Sequence, residues 1–72
     1  MSYYNLVISG MTEIELFGPY SCPRDRLRDA RINWKENLDR GQDAIFKLDV
    51  SSDGVPRVAA FTNVEIEDID DV

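Results

Sequence analysis

Only one stretch of this chain spaces its apolar residues for a helix. Leu27, Ala30, Trp34 and Leu38 recur at intervals of 3, 4 and 4 residues, which stacks them along one side of an α-helix. The segments before and after it alternate with a period of two, the spacing of strands. A helix stripe has to bury against another element. In 72 residues the only candidate is a sheet built from the flanking segments.

The punctuation supports that division. Residues 3–9 alternate Tyr4, Leu6 and Ile8 with Tyr3, Asn5 and Val7. After the turn Gly10-Met11-Thr12, residues 13–17 set Ile14 and Leu16 against Glu13 and Glu15, a hairpin signal. Gly18-Pro19-Tyr20 reads as the end of that strand. Ser21 is placed as a helix N-cap, Pro23 suits the first turn and Gly41 suits a C-terminal stop, giving a helix over 22–40. Residues 43–50 form a third strand and 56–63 a fourth, extending as far as Ile66. Ser51-Ser52-Asp53-Gly54 has hairpin-turn chemistry between them. The expected fold class is therefore α+β: a single small ββαββ domain over 1–66, with a four-stranded, mainly antiparallel sheet and one helix packed on one face. Residues 67–72 form an acidic C-terminal tail. The helix stripe is expected on the sheet face of Leu6, Ile8, Ile14, Leu16, Phe46 and Leu48. Tyr3, Val7, Ile45 and Phe61 then fall on the outer face. By analogy with other ββαββ domains, the first and last strands take the centre.

Composition narrows the chemistry. The chain has no histidine and one cysteine, Cys22. It cannot form an internal disulfide, a zinc site of the usual Cys/His type, a Ser-His-Asp triad or a Cys-His dyad. No enzymatic role and no cofactor are expected. Met1 to Gly10 lacks the basic start and apolar run of a signal peptide, and no apolar segment approaches the ~20 residues of a membrane span. A lone cysteine suits a reducing compartment, so the expected location is cytoplasmic.

Four local features invite a functional reading. Asp49-Val50-Ser51-Ser52-Asp53-Gly54 resembles half of a calcium loop, but Ala60 stands where a bidentate Glu is required, and the strands on both sides make it a hairpin turn. Cys22, at a helix start among arginines, is a small semi-buried residue with no base beside it. Arg24, Arg28, Arg31 and Lys35 form a basic stripe. The helix that carries them sums to only +2 over 24–40, against -2 for 1–23 and -6 for 41–72, so the overall field repels nucleic acid. Ile32 lies on the helix away from the apolar stripe and is a candidate centre for a partner contact.

The C-terminus is the strongest local signal. From Val64 to Val72, Glu65, Glu67, Asp68, Asp70 and Asp71 are acidic and nothing is basic. Such a segment is either a solubilising tail or an acidic arm that docks on a basic groove. Its alternation also suits addition to another protein's sheet edge.

Phe17-Gly18-Pro19-Tyr20, the arginine-rich helix, Ala44-Ile45-Phe46-Lys47-Leu48-Asp49-Val50 and Asp53-Gly54-Val55-Pro56-Arg57-Val58 together resemble small proteins of phages and prophages. In size and acidity the chain is also similar to phage anti-defence proteins, including anti-CRISPR inhibitors. That likeness carries no residue signature. It implies an inhibitor acting in an infected bacterial host on a nucleic-acid-handling complex, such as a CRISPR effector subunit. The expected mechanism is DNA mimicry, in which Glu13 and Glu15, roughly 7 Å apart on one strand face, and Glu65, Glu67, Asp68, Asp70 and Asp71 occupy a basic groove. The alternative is a structural or regulatory module that forms a homodimer through a sheet edge or the exposed sheet face.

Overall fold

A computed structural model describes residues 1–10, 12–39 and 41–67 of the chain. Its elements run β1 (Ser2–Ser9), β2 (Glu13–Tyr20), α1 (Pro23–Glu36), β3 (Ala44–Val50), β4 (Pro56–Ala60) and α2 (Asn63–Glu67). The four strands make one antiparallel sheet, and α1 packs on one of its faces, as the ββαββ pattern requires.

The strand order is β2-β1-β3-β4, so β1 and β3 hold the centre and the last strand lies at an edge. The first strand is central as expected from other ββαββ domains, and the edge position of the last corrects the other half of that expectation. A central strand needs neighbours on both sides and apolar surface above and below, and β1 and β3 have the most to offer. β2 is also longer than expected. It runs past Phe17 to Tyr20, pairing Tyr20 with Tyr3 through a bulge. Gly18 makes this possible. Its φ is +131°, and a Cβ there would lie 2.9 Å from the Tyr3 carbonyl oxygen and from the Tyr4 ring, so no side chain fits. Pro19 is tolerated because β2 is an edge strand.

Helix α1 begins after Cys22, whose extended backbone caps it without a side-chain bond. Ser21 instead donates its hydroxyl to Asp25 at 2.8 Å. The helix ends at Glu36, short of the expected 40. Beyond it the Asp39 side chain accepts from Gly41 N–H at 2.9 Å, and its carbonyl accepts from Gln42 and Asp43. This Asp-centred turn offers the backbone an alternative to continuing the helix. Residue 40 lies outside the described residues.

The expected extended run through Ile66 is instead the short helix α2. Glu65 N–H donates to Thr62 Oγ1 at 3.1 Å, and Thr62 N–H donates to Glu65 Oε1 at 2.9 Å. Thr62-Asn63-Val64-Glu65 is thus a capping box, and it turns the chain so that Ile66 enters the core.

The largest correction concerns the faces. The buried core is Val7, Ala30, Ile45 and Ile66, with Phe17, Trp34, Leu38 and Phe61 packed around it. Both helices therefore cover the face of Val7 and Ile45, and the described residues leave the face of Leu6, Ile8, Ile14, Leu16, Phe46 and Leu48 open. Tyr3, Val7, Ile45 and Phe61 are on the covered side, not the outer one. The reason lies in the inward side of α1, which carries Arg26 as well as Ala30. A buried guanidinium must be paired, and only the Tyr3–Asn5–Val7 side of the sheet supplies partners.

Candidate functional site

The covered face is closed by polar contacts. Arg26, 6% exposed, pairs with Asp49 of β3 and stacks 5.3 Å from the Tyr3 ring centroid. Asn5, fully buried, donates from Nδ2 to the Arg26 carbonyl at 3.1 Å. Tyr20 donates to Asp29 of α1. Burial pushes the Tyr20 phenol up to about 12, with the Asp29 carboxylate reinforcing this and a bond to Asn5 opposing it. These groups fasten α1 to the sheet, although Asn5 Oδ1 and Arg26 Nε are buried without a hydrogen-bond partner.

The open face has the opposite character. Register places Ile14, Ile8 and Ala44 in one row across β2, β1 and β3. The next row is Leu16, Leu6, Phe46 and Ala60. Tyr4, Leu48 and Val58 follow, and then Ser2, Val50 and Pro56. Directly opposed residues of an antiparallel pair share a face, so all these side chains stand on one surface. Among the described residues, none of these positions is charged. Ile14 is 71% exposed, Val58 57% and Leu16 54%. Scattered surface apolar residues are ordinary, whereas a contiguous face of them marks an interaction site.

Among the described residues, the sequence-predicted site residues do not assemble. Glu13 and Glu15 are exposed on edge strand β2, opposite Ser9 and Val7 and so on the helix-bearing side. Glu65 sits on α2 with its carboxylate engaged by Lys47 at 3.1 Å and by the Thr62 backbone. The Thr62 N–H holds the Glu65 carboxyl below its usual range, and Lys47 adds to this against the opposing effect of burial. Lys47 belongs to β3, two strands from Glu15, so Glu65 does not extend the Glu13–Glu15 row. Glu67 is the last residue of α2 and exposed. Asp68, Asp70 and Asp71 lie outside the described residues. Ile32 is 46% exposed on α1, on the opposite side of the molecule from the open sheet face.

The basic stripe is also divided. Arg31 Nε donates to the Glu65 carbonyl at 2.6 Å, tying α1 to α2. Arg28 lies 3.8 Å from Asp25 on the helix surface. Among the described residues no group of three or more Cys, Asp or Glu is placed to hold a metal ion, and no helix is long and apolar enough to cross a membrane.

Alternation alone located the open face but assigned it to the core. The signal that would have separated the two faces was Arg26. It lies four residues before Ala30 and eight before Trp34, on the inward side of the helix, and demands polar partners from the sheet. Comparison of the chain with family models, with curated proteins and with solved structures gives no match.

Proposed function

We propose that the chain is a protein-interaction module whose working surface is the open face of its sheet. The observation that carries this reading is the uncharged, four-strand apolar surface bearing Ile14, Leu16 and Val58. Each Å² of it removed from water contributes roughly 25 cal/mol, and its rigid hydrogen-bonded backbone is already ordered before contact, which lowers the cost of binding. Catalysis is not part of the reading, because Arg26 with Asp49, Tyr20 with Asp29 and Lys47 with Glu65 are engaged in holding the layers together.

The acidic-mimic mechanism, with an inhibitor of a phage anti-defence type binding a basic groove, is the second reading. The net charge of -6 and the two exposed carboxylates on β2 favour it. The engagement of Glu65 by Lys47 and Thr62 weighs against it.

Paired variants separate the two. The immobilised chain is exposed to a bacterial lysate, with its own second copy included among the species scored. Retained species that disappear with Ile14→Glu/Leu16→Glu and persist with Glu13→Gln/Glu15→Gln support the apolar face. The reverse pattern, with binding that also weakens steeply in salt, rejects it in favour of the carboxylates.

A further inference from the structure

We infer that the occupant of the open face is a second copy of this chain, packed sheet against sheet about a two-fold axis. This rests on the reading of that face as a contact surface and adds what covers it.

Shape is the first reason. The molecule measures 35 × 31 × 17 Å, a slab one sheet and one helix layer thick. Pairing two slabs through their open faces, with the sheets stacked at the usual ~10 Å, gives a body about 44 Å thick, nearer to equal in all directions than the slab alone. A body of that shape hides the surface that a slab must expose.

Area is the second reason. Four strands ~4.8 Å apart, with a rise of ~3.3 Å per residue, present a flat face of about 400 Å². Two such faces, with the added relief of their side chains, bury on the order of 1,000 Å², the threshold for a specific interface. Small residues stand beside large ones, Ala60 next to Phe46 and Ala44 next to Ile8, leaving recesses for a facing set of the same side chains.

Charge is the third. At a net charge of -6, two copies repel wherever their charged surfaces meet. The open face is the broad surface on which, among the described residues, like charges are not brought together. A basic partner would be drawn by carboxylates at the contact, and this face presents none. A two-fold contact needs only that one patch be complementary to itself, which an uncharged apolar face satisfies.

The test is sedimentation equilibrium of the full chain from about 1 to 500 μM, with Leu16→Glu, Val58→Glu and Ile32→Glu beside the wild type. Leu16 and Val58 lie on opposite edge strands of the open face and are more than half exposed, so both variants are expected to keep the fold, checked by circular dichroism. If either unfolds, Leu16→Ser and Val58→Thr replace them. The expected result is a wild-type mass of twice 8.2 kDa, monomers for both open-face variants, and a dimer for Ile32→Glu, whose apolar side chain is on the other side of the molecule. A dimer that survives both open-face variants overturns the assignment of the interface. A wild type that is monomeric throughout overturns the second copy as occupant. In that case an environment-sensitive apolar dye decides the underlying reading. Dye bound by the wild type and lost in Leu16→Glu retains the face as a contact surface for another protein, and no dye binding rejects the contact surface as well.

Discussion

Ala30 and Tyr20 show how single residues hold α1 at its distance from the sheet. Ala30 is completely buried between the two layers, where close packing leaves no room for added methylene groups. Ala30→Leu is expected to destabilise the fold by about 1–3 kcal/mol, read as a lower midpoint in urea denaturation. Tyr20 is different because its contribution depends on pH. Its phenol is held up to about 12, against 10.0 unperturbed. Between those values the native chain keeps a proton that the unfolded chain has released. This part of the stability is full below pH 10 and is lost as pH rises towards 12. Tyr20→Phe should therefore be less stable than the wild type at pH 8 and close the gap by pH 12. A constant gap across denaturation curves in that range would mean that Asp29 and the surrounding burial do not control the phenol.

Helix α2 is the element on which the rest of the core depends most for its length. Five residues would not hold a helix in isolation. This one stands because Thr62 and Glu65 cap each other, Arg31 takes its Glu65 carbonyl, and Ile66 is 4% exposed in the core. Thr62→Ala is expected to cost about 1 kcal/mol, and Ile66→Ala about 2–5 kcal/mol, both measured by chemical denaturation. Glu65→Gln keeps the cap, since Gln also serves in a capping box, but loses the charge paired with Lys47. Because the Glu65 carboxyl is held below its ordinary 4.5, the wild-type advantage should be complete at neutral pH and vanish as pH falls below that value. The capping box was legible in the sequence as Thr-x-x-Glu and was obscured by the alternation of Val64, Glu65 and Ile66, which also fits a strand. The four strands and α1 were legible because period and turn residues agree there. The end of α1 was not, because Gly41 looks like a stop while Asp39 had already captured the backbone.

At the scale of the whole molecule, both faces of the sheet carry apolar residues, and among the described residues the helices cover the one that also bears Asn5, Lys47 and Asp49. Periodicity reports that a face is apolar and not which of two such faces is covered. Residue by residue, the polar groups that decide it, Arg26 with Asn5, Asp49 and Tyr3, are ordinary helix and strand positions until the two layers are brought together. A dimer through the remaining face would link folding to association. The thermal midpoint should then rise with protein concentration and become concentration-independent in Leu16→Glu. A wild-type midpoint that does not move between about 5 and 500 μM would count against that linkage. The division of the surface has a further consequence in the absence of any partner. With the open sheet face uncharged among the described residues and charge carried on the other side, the folded chain is a disc-shaped surfactant. It should spread flat at an air–water or oil–water boundary without unfolding, carboxylates towards the water, and lower the interfacial tension in proportion to the monomer that remains free.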